Sequence, residues 1–198
     1  VIGVIMVYGT MDLAELVREQ GNPARMIGGW IPLWGIFAQP VAFIVFLIAA
    51  LAETKRAPFD LPEAESEIIG YFVEYSGMKF GLFTAAELVE VVVIGGLITA
   101  LFLGGWSLPW ITDDALKAGI GELLGPNMAN VIAMVIHVIS FFAKVIALSF
   151  VQMLIRWSMP RFRYDQVMNL GWKILLPLSL ANIVITGFAV LLIQEISG

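Results

Sequence analysis

The sequence has no cysteine, a single histidine and few charges: 14% of its 198 residues are Asp, Glu, Lys or Arg. Without cysteine the chain has no disulfides, no thiolate metal ligands and no iron–sulfur ligation. With one histidine it has no histidine cluster. It also carries no Walker loop, no metal-ligand spacing and no Ser–His nucleophile pair. No redox centre is expected in this chain, and any catalysis it serves is carried elsewhere. Basic residues are scarce as well, 11 against 16 acidic ones, and the net charge of −5 argues against a nucleic-acid partner.

What is present is apolar. Hydrophobic residues make up 60% of the chain, and mean hydropathy is +0.91. A soluble domain is usually about 45–50% apolar and about 25% charged. Both deviations point to an all-α polytopic transmembrane helix bundle, a single membrane domain over residues 1–198. Residues 1–11 are apolar but too short to cross, since a span needs about 20 residues. They read as the end of a helix that begins upstream, which would make the chain a C-terminal portion of a longer protein. Residues 12–30 are polar and broken at Gly21-Asn22-Pro23. Trp30 and Trp34 suit an interfacial aromatic belt.

Full spans are predicted over 31–52, 79–104, 128–152 and 172–194. Pro40 should kink the first, because it has no N–H to give the carbonyl one turn back. Gln39 stands beside it, able to satisfy a freed backbone group. The loop 105–127 holds a candidate interfacial helix at 115–124, and Pro177 lies near the start of the last span. No internal repeat is evident.

Between the first two spans lies a long charged loop, 53–78, with six of the sixteen acidic residues: Glu53, Asp60, Glu63, Glu65, Glu67 and Glu74. Glu63 and Glu67 face each other on a helix, and all three of Glu63, Glu65 and Glu67 share a face on a strand. Crowded carboxylates raise some of their own pKa values. The i, i+3 spacing of Glu53 and Arg56 permits a pair. Interleaved apolar residues, from Phe59 to Tyr75, argue that the loop folds back on its bundle or on a partner. Pro58 and Pro62 stiffen its path. A solvated acidic loop is the plainer alternative.

Ionisable groups inside spans are costly and mark function by default. Glu87 and Glu90 lie one turn apart in the second span, and Lys144 lies mid-way along the third, seven residues after His137. They are candidates for a proton relay, or for a Glu–Lys pair that fixes packing; for His137 a structural role is the alternative. In the stretch MPRFRYDQ, Arg161, Arg163 and Asp165 either anchor a positive-inside loop or dock a polar partner surface. With the loops 53–78 and 153–171 on the cytoplasmic side, that side has seven cations (Lys55, Arg56, Lys79, Arg156, Arg161, Arg163, Lys173) against three (Arg18, Arg25, Lys117). The positive-inside rule favours that orientation.

AETKRAPFDLPEAESE, EYSGMKFGLF and PRFRYDQ resemble the quinone-chamber membrane subunit (subunit 1, the H type) of proton-pumping NADH:quinone oxidoreductase, complex I, and the resemblance runs along essentially the whole chain. It implies a subunit of the bacterial inner membrane, within a large hetero-oligomeric complex. Quinone, ubiquinone or menaquinone, is its substrate, and NADH, flavin and iron–sulfur clusters are held by other subunits. It implies a proton pathway through Glu53, Asp60, Glu63, Glu65, Glu67, Glu87 and Lys144, the last matching a family lysine. Arg56, Pro58 and Phe59 would belong to the quinone-chamber loop. The commoner family form has one more residue between the positions of Glu67 and Glu74. Two rivals stand beside this reading, along with a pure scaffold role. One is the equivalent subunit of a membrane-bound hydrogenase or ferredoxin-linked complex; the other is a proton-coupled secondary transporter using Glu87 and Lys144.

Overall fold

Long apolar runs can satisfy their backbone in a bilayer only as helices or closed barrels, and this chain is helical. The computed structural model describes residues 1–22, 32–60, 75 and 77–197. Among the described residues the helices are, in chain order, α1 Ile2–Tyr8, α2 Leu13–Gln20, α3 Gly35–Ala38, α4 Pro40–Glu53, α5 Met78–Phe102, α6 Asp113–Leu124, α7 Pro126–Ser158, α8 Tyr164–Asn169 and α9 Leu176–Ser197. Among the described residues, three stretches are long and apolar enough to cross a membrane: Met78–Phe102, Asn127–Ser158 and Tyr164–Glu195. At 1.5 Å per residue, the 33 residues of α7 extend about 50 Å.

Pro40 does more than kink the first predicted span. Helix α3 stops at Ala38, Gln39 leaves the helical region at φ −139° and ψ 62°, and α4 restarts with Pro40 in its first turn. That is where a residue without N–H costs nothing. The Gln39 side chain does not serve the broken backbone. Its Nε2 donates to Thr186 Oγ1 at 2.7 Å, and its Oε1 accepts from Asn182 Nδ2 at 2.9 Å, tying the break to α9.

The last two helices are one rod. Leu170–Leu175 forms a π-helical turn between α8 and α9, with Leu176 N–H reaching back to Gly171 O. Pro177 follows at once, and the wider turn absorbs the hydrogen bond that its ring removes. Only residues 159–163 therefore separate α7 from a helix that begins at Tyr164, a shorter link than the predicted loop 153–171.

The core lies where α1, α2, α4, α5 and α7 meet, around Val4, Tyr8, Leu16, Ala50, Ile98, Leu101, Phe102 and Leu148. Phe102 is fully enclosed and meets Phe43 edge-on at 5.5 Å between ring centroids. Gly35 allows α3 to touch α5: a Cβ there would lie 2.5 Å from Leu101 O. Most of α9 faces away from the chain, with only 6% of its apolar window buried. In a bilayer such faces meet lipid or other subunits.

Candidate functional site

The charged loop begins where α4 runs out of apolar residues. Phe59 N–H closes a turn onto Arg56 O at 2.8 Å, after a cis Ala57-Pro58 bond. From there the loop docks on residues 159–163. Phe162 N–H donates to Pro58 O at 2.9 Å, and the Phe59 and Phe162 rings meet edge-on at 5.7 Å. Arg161 Nη2 lies 3.8 Å from Asp60 Oδ2. The Asp60 side chain is 2% exposed and that of Arg161 43%, so the contact sets a buried carboxylate against a half-exposed guanidinium. Thus the structure brings together Asp60 with Arg161, and Pro58 and Phe59 with Phe162, joining the two charged segments at one end of the bundle.

Other predicted residues of this end are more open. Glu53 is exposed, Arg56 half-buried, and the pair that their spacing permits is not formed. Arg163 and Asp165 are exposed. Arg163 N–H donates to Gln166 Oε1 at 3.1 Å, and Asp165 occupies the first turn of α8, where a carboxylate complements the helix dipole. Glu63, Glu65, Glu67 and Glu74 lie outside the described residues. Glu87 sits on the outer face of α5, exposed within this chain, and Glu90 is half-buried. Neither meets a cation among the described residues.

The opposite end of α5 is built differently. A helix ends with carbonyls that have no intrahelical partner; here the buried Gln20 takes two of them, and the half-buried Lys144 serves the carbonyls that follow. Gln20, fully buried at the end of α2, donates from Nε2 to Ala100 O and Leu101 O, each at 3.1 Å. Its Oε1 accepts from Gly35 N at 3.2 Å and Gly104 N at 2.9 Å. All four hydrogen-bonding positions of the amide are used. Lys144 takes the next carbonyls: Nζ donates to Leu103 O at 2.9 Å, Gly105 O at 3.0 Å and Ser107 O at 2.6 Å. It also stands 4.5 Å from the centre of the Trp34 ring. Trp34 therefore serves here as a packing face for the ammonium rather than as a simple belt residue.

His137 continues the line. Its Nδ1 is 3.1 Å from Trp106 O and its Nε2 3.2 Å from Asp113 Oδ1, close enough for an ion pair but out of line for a hydrogen bond. From Lys144 back to His137, α7 meets Leu103, Gly105, Ser107, Trp106 and Asp113. The non-helical segment 103–112 therefore runs along α7 toward its N-terminus. Lys144 pairs with no carboxylate among the described residues, so the Glu–Lys alternative is not what the geometry shows.

Gln20 is a buried bonding centre that the sequence conceals, because it falls inside a polar stretch that reads as a loop. A signal is present nonetheless: Leu13, Leu16, Val17 and Gln20 fall at i, i+3, i+4 and i+7. Leu16 and Val17 are buried along with Gln20, which marks a helix face pointing inward.

Bilayer-length helices, ionisable groups held at helix ends and two interlocked charged segments define a polytopic helical membrane protein. Residues 1–187 match the family model described as NADH dehydrogenase. The chain belongs to that family, and the resemblance read from its loop motifs is borne out. It is 40% identical to the H-type subunit of NADH-quinone oxidoreductase from Bdellovibrio bacteriovorus, over 96% of this chain and 52% of that protein. It is 39% identical to the corresponding protein of Flavobacterium psychrophilum, over 98% of this chain and 51% of the relative. That of Flavobacterium johnsoniae is 40% identical, over 100% and 51%. The chain thus spans about half the length of the curated relatives it matches.

Proposed function

We propose that this chain is a membrane part of an NADH:quinone oxidoreductase, one that helps line the quinone chamber and couples quinone reduction to proton translocation. Quinone is the substrate; electrons arrive from NADH through carriers on other subunits. Reduction to quinol takes up two electrons and two protons, so it alters charge and proton demand beside the loop 53–78. In this reading Glu53, Asp60, Glu63, Glu65 and Glu67 answer by changing protonation, and Glu87 passes the change on within the membrane. The loops 53–78 and 153–171 face the cytoplasm of a bacterial cell, and Arg163 and Asp165 meet a neighbouring subunit.

One observation carries the reading most: the buried Asp60 carboxylate against Arg161, in a loop that the second charged segment holds to the bundle end. A carboxylate removed from water responds to a nearby change of charge far more than a solvated one. The outward Glu87 supports it too, because a carboxyl at membrane depth needs a polar neighbour, here from another subunit. Lys144 stands apart from the carboxylate file, since its three N–H groups are committed to carbonyls. The relatives named above are all called NADH-quinone oxidoreductase subunits, which favours the quinone enzyme over a hydrogenase-linked complex.

The test is Glu65→Gln or Glu87→Gln in the assembled membrane complex. Quinone-linked NADH oxidation with proton pumping should fall by about tenfold or more, within the range of a lost proton-transfer group. NADH oxidation by an artificial acceptor should be unchanged. Normal quinone turnover and pumping in both variants would overturn the proposal.

A further inference from the structure

We propose that the turn closing α5 is a cation site shaped for a primary ammonium group, and that Lys144 is its resident ion. Three carbonyl oxygens, from Leu103, Gly105 and Ser107, converge on one nitrogen at 2.6–3.0 Å. An ammonium on a carbon stem has three N–H donors, so donors and acceptors match one for one. The Trp34 ring covers the approach at 4.5 Å, presenting its negative face. Its indole Nε1 is buried without an acceptor, so it is the ring face and not the N–H that finds a partner.

The backbone is bent to make this site. Gly104 and Gly105 both have positive φ, 69° and 51°. A Cβ on Gly104 would meet Ser107 Oγ at 2.5 Å and Trp34 Nε1 at 2.6 Å; one on Gly105 would meet Val17 Cγ2 at 2.6 Å. Gln20 holds the turn from its other side through Gly104 N–H. The Leu103 carbonyl caps a 25-residue helix, whose C-terminal end carries the negative dipole, and those of Gly105 and Ser107 lie in the turn that follows. Compensation therefore comes from peptide dipoles rather than from a carboxylate.

Position along α7 gives the site its purpose. Lys144 lies about 27 Å from the start of α7 and about 21 Å from its end, counted at 1.5 Å per residue. Non-helical backbone in a membrane protein needs its polar groups satisfied by protein or by a water-filled cavity. Lys144 supplies those partners and pins the segment 103–112 against α7. A proton carrier must also exist without its proton. A neutral amine here would turn a lone pair toward a carbonyl oxygen, so the site holds the ion and does not pass protons through it.

The experiment uses Lys144→Ala in the purified, full complex, with small cations added back. Thermal inactivation should be faster than in the parent by at least about tenfold, the scale of lost charge-assisted hydrogen bonds. Ethylammonium, with three N–H donors, should slow it again. Tetramethylammonium has the same charge and no N–H, and should not. Parental stability without additive, equal rescue by both cations, or restored turnover with imidazole as a diffusible base would each overturn the proposal. If Lys144→Ala yields no complex, Lys144→Arg decides, because guanidinium keeps N–H donors and does not deprotonate. That variant should retain the parent's protons per NADH; an assembled complex that no longer pumps would contradict the assignment. Failure of the parent itself to pump would count against the proposed function and leave the stability arms intact.

Discussion

The two ends of α5 treat charge in opposite ways. At the end near Met78, the buried carboxylate of Asp60 faces an arginine 3.8 Å away. At the end near Phe102 a single cation is surrounded by carbonyls at hydrogen-bond distance, and the neighbouring amide of Gln20 has every position filled. The first sets a buried carboxylate against a half-exposed guanidinium. The second is saturated, and deprotonation of Lys144 would leave one of its three carbonyls without a donor. Both are ionisable groups inside a membrane protein, so burial alone does not identify a proton path; the partners decide.

The contrast breaks most readily at the saturated end. Gln20→Leu fills a similar volume but strands two carbonyls and two amides, at about 1–3 kcal/mol for each buried group left unpaired. The yield of assembled complex on native gels should collapse. Gly35→Ala comes next. Its Cβ would sit 2.5 Å from Leu101 O, and such overpacking costs about 1–3 kcal/mol, read as a lower thermal midpoint with turnover per complex preserved.

At the loop end the effect should fall on coupling more than on stability. Removing one partner of a fully buried pair costs about 3–5 kcal/mol, and the 43% exposure of Arg161 reduces that to roughly 1–2 kcal/mol. Arg161→Ala should assemble, while quinone-linked turnover drops and artificial-acceptor activity holds. An Arg161→Ala complex with full quinone turnover would blur the distinction between the ends. Smallest is Asp113→Asn: its carboxylate is 55% exposed beside His137, so the change should stay under about 1 kcal/mol and leave pumping intact.

Much of this is legible in the sequence because apolarity and length are local properties. The spans at 79–104 and 128–152 follow from composition, and Pro40 announces a disturbance by chemistry that neighbours cannot repair. What proline does there, a full break with Gln39 turned toward Thr186 and Asn182, depends on residues about 145 positions away and is not legible. Lys144 is visible as an intramembrane cation, but its partners are backbone carbonyls, which carry no residue identity to read. Gln20 is hidden by its surroundings, since a polar stretch flanked by Gly21 and Pro23 looks like a loop until its buried face is counted. The segment 164–171 reads as loop because it follows Pro160, Arg161 and Arg163 in the stretch 153–171, and a helix starting at Tyr164 joins α9 through a π turn that periodicity does not announce.

The most direct measurement is protons moved per NADH in proteoliposomes, comparing complexes that carry Glu87→Gln or Lys144→Arg with the parent. If carboxylates carry the coupling and the lysine holds position, Glu87→Gln assembles with its proton ratio lost, and Lys144→Arg pumps at the parental ratio. A silent Lys144→Arg complex beside a fully pumping Glu87→Gln complex would reverse the roles assigned to the two ends of α5.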